Sequence, residues 1–119
     1  MKTSSFSVYK GSGRISIARS TPRRMPAGFR IFKDLAPGPW FSQVNDAEYR
    51  KLFASEVLKR LDPKQVWKEL HDLVPGVEPI LLCWETLEEP DEWCHRRLVA
   101  DWFKKELGES VVELKLKLK

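Results

Sequence analysis

The feature that most constrains this chain is an apolar run at residues 79–84, followed by an acidic loop and an amphipathic segment at residues 92–107. Continuous apolar character over so few residues is typical of a strand buried on both faces of a parallel sheet. The segment that follows has apolar residues at helical spacing and stops at Gly108, a residue type that favours helix ends. A buried strand that leads into a helix predicts an α/β fold.

Further strands and helices alternate along the rest of the chain. Period-two apolar patterns predict the strands, and Asp46 and Asp62-Pro63 can begin the helices. The predicted elements are strands at residues 5–9, 14–19 and 111–118 and helices at residues 46–61 and 63–73. The turn between the first two strands also fits a hairpin, and the last strand is predicted to turn Glu113 toward solvent. Together these elements predict an α/β domain with a small, mostly parallel sheet.

Length and composition fit one domain that spans residues 1–119, because this length and five tryptophans suffice for a hydrophobic core. No run approaches the roughly 20 apolar residues of a membrane span, and residues 1–20 lack a secretory signal. We therefore expect a cytoplasmic protein without a membrane partner. Its two cysteines, Cys83 and Cys94, are expected to be free thiols, with a redox pair as the alternative.

Charge is distributed unevenly along the chain. Residues 1–33 carry eight Lys or Arg and no acidic residue, whereas residues 34–119 carry thirteen basic and seventeen acidic residues. A basic N-terminal third can attract phosphates, so nucleic acid or a nucleotide is the first partner to consider. The alternative is that these charges pair with the acidic residues of the same chain.

Candidate site residues gather at the carboxyl ends of the predicted parallel strands, where open α/β sheets bind ligands. They are Arg19 after the second strand, Cys83 and Glu85 at the end of the central strand, and Cys94, His95 and Arg96 at the start of the last helix. On a helical projection His95 and Arg96 fall within the apolar arc, so each needs a partner or a ligand. Trp84 and Trp93 flank the same edge and could stack on bases.

The leading interpretation is a site for a phosphate-bearing ligand, either a nucleotide or nucleic acid. Arg19 and Arg96 can each hold a phosphate through two N–H groups, and a helix N-terminus supplies further N–H groups. If the protein is also an enzyme, Glu85 or His95 would act as acid or base. The alternative is that both arginines are structural partners of Glu85 and the acidic loop.

Two other chemistries would use the cysteines. Cys94 could be the nucleophile of a thiol-dependent enzyme with His95 as its partner, although the acidic loop opposes ionisation of the thiol. A zinc site is disfavoured, because adjacent helical residues diverge by about 100° and the sequence lacks a Cys-x-x-Cys pair. We therefore predict no metal and no cofactor. A third class is an interaction module in which the cluster only stabilises the fold.

These motifs resemble a family of bacterial, archaeal and phage proteins called domain of unknown function 488. The resemblance rests on Leu82-Cys83-Trp84-Glu85 followed by Cys94-His95-Arg96, on Arg19 with Pro22 in the next loop, and on Leu35-Ala36-Pro37 with the helix around Tyr49. It implies a three-layer, Rossmann-like fold but no established reaction. Family members have a helix between their first two strands, whereas here only residues 10–13 separate them. We assign a candidate catalytic role to Glu85, Cys94 and His95 and a candidate ligand-binding role to Arg19, Pro22, Cys83 and Arg96.

Overall fold

The chain forms a parallel sheet with its helices on one face. A computed structural model of the protein describes residues 1–84 and 94–114. The strands are β1 (Lys2–Ser5), β2 (Arg14–Ser16), β3 (Arg30–Ile31), β4 (Ile80–Cys83) and β5 (Val112–Glu113), and the α-helices are α1 (Asp46–Leu52), α2 (Pro63–Leu73) and α3 (His95–Leu107). The strand order is β3-β2-β4-β1-β5, and every neighbouring pair is parallel. This arrangement confirms the predicted Rossmann-like α/β fold with a small parallel sheet.

The central strand is β4, as its apolar sequence predicts. All four of its residues are buried, and it pairs with β1 on one side and β2 on the other. Leu81 of β4 joins Ile15 and Ile17 in one hydrophobic cluster with Phe53 and with apolar residues of α2 and α3. The helical layer therefore packs on the face of the sheet that Leu81 occupies.

Loops cover the opposite face of the sheet. Tyr9 and Met25, from the loops that follow β1 and β2, pack against a second cluster that contains Leu82. Arg14 is buried on this face, and its guanidinium donates hydrogen bonds to the backbone carbonyls of Gly11, Pro26 and Ala27. One buried side chain thus joins both loops, and the third layer of the fold is made of loops.

The first strand is not where the sequence pattern places it. The prediction was residues 5–9, but β1 ends at Ser5. Its buried side chains are polar and hydrogen-bonded: Thr3 donates to the carboxylate of Glu113, and Ser4 donates to a backbone carbonyl that follows β5. Buried hydroxyls give no apolar signal, so the alternation just after the strand was mistaken for the strand itself.

The other predicted elements lie close to their predicted positions, whereas β3 lies in a segment for which no regular element was predicted. β2 ends at Ser16, and Asn45 rather than Asp46 caps α1 by accepting the N–H of Glu48 at 2.9 Å. The predicted helix at residues 46–61 continues after α1 as a π turn (Phe53–Val57) and a 3-10 turn (Leu58–Arg60). The helix that follows is α2, and its cap is Asp62, as predicted. Of the last predicted strand, residues 115–118 lie outside the described residues.

β1 and β2 do not form the alternative hairpin, because both run parallel to β4, which lies between them. Residues 6–13 must return the chain from the carboxyl end of β1 to the amino end of β2. Parallel connections usually need about a dozen residues or more. Here the strands have four and three residues, so the return path is only about 10–13 Å. This short connection has no room for the helix that proteins of domain of unknown function 488 have between their first two strands.

The last helix begins and ends as the sequence predicts to within a few residues. α3 starts at His95, and Gly108 follows it in the left-handed region at φ 71°. The N–H of Gly108 donates to the carbonyl of Lys104 at 3.0 Å, which satisfies an acceptor at the helix end. Within residues 1–84 and 94–114, no helix has the length and apolar character needed to cross a membrane.

Gly13 and Gly76 have nearly the same φ, but only Gly13, which directly precedes β2, lies against the backbone of Glu78. Alanine substitutions at the two positions therefore measure how tight this contact is. Gly13 has φ 81°, and an added Cβ would overlap the carbonyl oxygen of Glu78; Gly76 has φ 80° and open space around it. Gly76→Ala should lower the free energy of unfolding by about 1 kcal/mol through left-handed strain alone. Gly13→Ala should cost at least about 2 kcal/mol more, because the backbone at Glu78 must also move. Urea unfolding of both variants measures the difference, and equal losses would contradict this account of the junction.

Candidate functional site

The carboxyl ends of β2 and β4 lie side by side at a point where the chain changes direction. From β2 the chain continues outward to β3, whereas from β4 it continues through α3 to β5 on the far side of β1. Open α/β sheets form their ligand crevice at such a switch point, where two neighbouring connections diverge. The predicted site residues that the structure describes lie at or next to this point.

Cys83, Cys94 and His95 meet at this edge. Cys83 ends β4, Cys94 directly precedes α3, and their sulfur atoms are joined as a disulfide with the Cα atoms 7.6 Å apart. The ligand atoms of the three side chains lie within 4.8 Å of one another, and all three residues are buried. The structure therefore has a disulfide in place of the two free thiols that were predicted, and this is the alternative redox pair.

Cys94 lies outside the helix that it introduces. Its backbone is extended, with φ −142° and ψ 157°, and the helical conformation begins at His95. The divergence of about 100° between adjacent side chains applies only when both residues are helical. The extended backbone instead brings Sγ of Cys94 to 3.5 Å from Nδ1 of His95. The geometric objection to a shared site therefore does not hold in the folded protein.

The ring of His95 has a defined tautomer. Nε2 lies 2.8 Å from the carbonyl oxygen of Ile17. A carbonyl oxygen only accepts hydrogen bonds, so Nε2 carries the proton and Nδ1 presents its lone pair to Cys94. Burial lowers the pKa of His95 to about 4, the Ile17 carbonyl opposes this shift, and the charge of Arg96 adds to it. The ring is therefore neutral at neutral pH, with one nitrogen free of its proton.

The low pKa of His95 bears on the predicted nucleophile–base pair. A thiol has an ordinary pKa of about 8.5, so transfer of its proton to an imidazole with a pKa of about 4 is uphill. The difference corresponds to roughly 6 kcal/mol. His95 is placed to accept a hydrogen bond from a Cys94 thiol, but it is a weak base toward it.

Arg96 is a structural partner of a carboxylate rather than an open phosphate ligand. Its fully buried guanidinium donates from Nε and Nη2 to both carboxylate oxygens of Glu113, at 2.9 and 2.8 Å. Its Nη1 donates to Sγ of Cys83 at 2.9 Å. A phosphate could reach Arg96 only by displacing this buried pair. The ligand-binding role predicted for Arg96 is therefore corrected to a structural one, with Glu113 as the carboxylate.

Two other candidates lie on the solvent side of the same edge. Arg19 is exposed; it donates from Nη1 to the carbonyl of Pro37 at 3.0 Å, and its guanidinium lies 5.3 Å from the ring centroid of Phe41. Trp84 is 52% exposed, and its Nε1 donates to the carbonyl of Ser20 at 3.0 Å. The segments that follow β2 and β4 are thus linked, with a guanidinium and an indole ring open to solvent.

The remaining candidates are Pro22, Glu85 and Trp93. Pro22 is half-buried in the loop after β2, where its carbonyl accepts the N–H of Met25 at 3.4 Å. This contact helps to shape the loop, and the ligand-binding role of Pro22 stays a prediction. Glu85 and Trp93, together with the rest of the acidic loop, lie outside the described residues.

Glu113 is not among the predicted site residues, because the sequence pattern places its side chain on the solvent face of β5. Val112 is 56% exposed, while the Glu113 side chain, predicted to face solvent, is 10% exposed and turned to Arg96. At Val112 and Glu113, the two residues of β5, burial is therefore the reverse of what the apolar alternation predicts. The only usable signal was the need of Arg96, once placed on the buried face of α3, for a carboxylate.

A large open cleft in the described part of the chain lies away from the sulfur cluster. It has a volume of about 740 Å³ and lies between the loop at residues 34–39 and residues 55–61, with Asp34, Glu56 and Arg60 on its walls. None of the predicted site residues that the structure describes lines it. Its mixed charges and the absence of a convergent set of reactive groups on its walls leave the strand edge as the candidate site.

Comparisons with protein-family models, with curated proteins and with solved structures find no match to this chain. The likeness to domain of unknown function 488 therefore rests on the motifs quoted above.

Removal of Glu113 should expose the cost of the buried guanidinium. Glu113→Ala leaves Arg96 charged and buried without its carboxylate, which should lower the free energy of unfolding by about 3–5 kcal/mol. Glu106→Ala removes the same charge from the exposed side of α3 and should change stability by less than about 0.5 kcal/mol. Chemical denaturation compares the two variants. A loss in Glu113→Ala as small as that in Glu106→Ala would show that the ion pair does not stabilise the fold.

The buried histidine should make stability depend on pH. The pKa of His95 is about 4 in the folded protein and 6.5 as its ordinary value, so the unfolded chain takes up the proton first as the pH falls. The contribution of neutral His95 to the free energy of unfolding is complete above pH 6.5. It is lost as the pH falls toward 4, by roughly 3 kcal/mol in all. His95→Gln retains an N–H donor for the Ile17 carbonyl but does not titrate. As the pH is lowered across this range, the free energy of unfolding should fall more steeply for the wild type than for His95→Gln. Identical slopes for the two proteins would show that His95 is not the group responsible.

Proposed function

We propose that the switch point between β2 and β4 binds a phosphate-bearing ligand, either a nucleotide or a strand of nucleic acid. The observation that carries the proposal is the exposed pair of Arg19 and Trp84 on the two adjoining strand ends. A guanidinium binds phosphate through parallel N–H groups, and an exposed indole ring offers a face on which a base can stack.

Arg19 is oriented for this role by its surroundings. One N–H group of Arg19 donates to the Pro37 carbonyl, and the guanidinium lies over the ring of Phe41. These two contacts hold the guanidinium in place while it stays exposed. A positioned arginine loses less side-chain entropy when it binds an anion than a freely moving one. The ligand would therefore meet a prepared group at the edge of the sheet.

The charge of the surrounding segment supports the same class of ligand. Arg23 and Arg24 are exposed in the loop that follows Arg19, and residues 1–33 contain no acidic side chain. A concentration of positive charge raises the rate at which polyanions reach a site and contributes to their affinity. Arg96 supports this site only indirectly, since its ion pair with Glu113 helps to position α3.

The predicted thiol-dependent enzyme receives less support. Cys94 is 3% exposed and its sulfur is paired with that of Cys83. His95, its proposed partner, has a pKa of about 4 and is a weak base. A nucleophilic Cys94 would need both a reduced, accessible sulfur and a stronger proton acceptor.

Binding of labelled single-stranded DNA and RNA, with mononucleotides as competitors, tests the proposal at several salt concentrations. Arg19→Ala should weaken binding about 10-fold or more and reduce the dependence on salt by about one phosphate contact. The matched control is Arg30→Ala, which removes the same charge from the same basic segment but at β3. It should weaken binding only slightly. Trp84→Ala should cost about 1–3 kcal/mol of binding free energy, and Trp84→Phe should restore much of it.

Equal losses in Arg19→Ala and Arg30→Ala would contradict a site at the switch point and indicate diffuse attraction to the basic segment. Absence of binding at low salt to every strand and nucleotide would reject the proposal altogether. The predicted interaction module would then be the better account of this edge.

A further inference from the structure

We propose that Cys83, Cys94 and His95 bind a zinc ion when the two cysteines are reduced. The three ligand atoms lie within 4.8 Å of one another in a buried cluster. In a tetrahedral zinc site, bonds of about 2.3 Å to sulfur and about 2.0 Å to nitrogen place neighbouring ligand atoms about 3.4–3.8 Å apart. The cluster therefore needs only a small adjustment of side chains to surround an ion.

The spacing of the backbone also suits an ion between the sulfurs. The Cα atoms of Cys83 and Cys94 are 7.6 Å apart, whereas directly bonded cysteines usually have Cα atoms about 4.4–6.8 Å apart. A metal ion lengthens the bridge by inserting one atom between the two sulfurs. The end of β4 and the start of α3 can thus remain where they are.

The groups around the cluster resemble the supporting shell of a metal site. Ligating histidines commonly donate their second ring N–H to a carbonyl, which directs the other nitrogen at the metal. His95 donates from Nε2 to Ile17 and presents Nδ1 to the sulfurs. Ligating thiolates are stabilised by N–H donors, and Arg96 supplies one to Cys83 at 2.9 Å.

Charge balance favours an ion over two buried thiolates alone. The positive charge of Arg96 is already neutralised by Glu113 at 2.8 Å. Two thiolates without a cation would bring uncompensated negative charge into a buried site, which is costly. Two thiolates, a neutral imidazole and Zn²⁺ have no net charge together, and thiolate ligands favour zinc over harder ions such as Mg²⁺.

Cobalt(II) provides the probe, since it occupies zinc sites and gives charge-transfer absorption when thiolates bind it. The protein is reduced with a phosphine, desalted without oxygen and titrated with Co²⁺. We expect saturation at one ion per chain, thiolate charge-transfer absorption, and displacement of the cobalt by Zn²⁺. Oxidation of the same sample should abolish binding and renewed reduction should restore it, because the disulfide and the metal use the same sulfurs.

Variants assign the ligands. Cys83→Ser and Cys94→Ser should each reduce the charge-transfer absorption, and His95→Gln should weaken cobalt binding about 10-fold or more. The control is His71→Gln, which alters the other histidine of the chain, a residue on α2 whose Nδ1 lies 2.7 Å from the Trp67 carbonyl. It should leave binding unchanged. Arg19→Ala should also leave it unchanged, which separates this site from the proposed phosphate site.

Two results would overturn the proposal. One is reduced wild-type protein with both thiols reactive to alkylation and no charge-transfer absorption in excess Co²⁺. The other is His95→Gln protein that binds cobalt as tightly as the wild type, because the third ligand would then not be His95. The oxidation and reduction cycle uses the wild-type chain, so it decides the matter even if a cysteine variant fails to fold.

Discussion

The buried ion pair between Arg96 and Glu113 determines how the start of α3 meets the sheet. A guanidinium removed from water costs several kcal/mol unless acceptors surround it. Here Glu113 of β5 accepts two hydrogen bonds from Arg96, and Cys83 of β4 accepts a third. These bonds connect one helix to two strands. Cys94 and His95, which directly precede Arg96, therefore lie next to the end of β4.

The same edge of the sheet offers two environments with different chemistry. Arg19 and Trp84 lie at the solvent surface, where a charged group can exchange water for a phosphate at little cost. Cys83, Cys94 and His95 lie in the interior, where a low dielectric penalises isolated charge and favours neutral assemblies. A phosphate ligand outside and a soft metal inside are therefore separate proposals, each with its own residues.

Strong local patterns were predicted well, and patterns that depend on distant partners were not. The continuous apolar run of β4, the Asp62-Pro63 start of α2 and the Gly108 stop of α3 each have a local physical cause, so the sequence indicates them directly. β1 was misplaced because its buried side chains are hydroxyls, which give no apolar signal. Their hydrogen-bond acceptors, the Glu113 carboxylate and the Leu114 carbonyl, lie far away in the sequence. β5 was read with the wrong face inward because Glu113 is held by Arg96, a contact that overrides the apolar alternation.

Local sequence patterns are enough to predict the fold class and the central strand. They also predict that Arg19, Cys83, Cys94, His95 and Arg96 gather at one edge, because the carboxyl ends of parallel strands must lie together. What each of these residues can do depends on its surroundings in the folded protein. Arg96 was assigned to Glu113, Arg19 was left exposed, and the extended backbone of Cys94 turned its sulfur toward His95. Such roles depend on burial and on contacts between residues far apart in the chain, which no local pattern encodes.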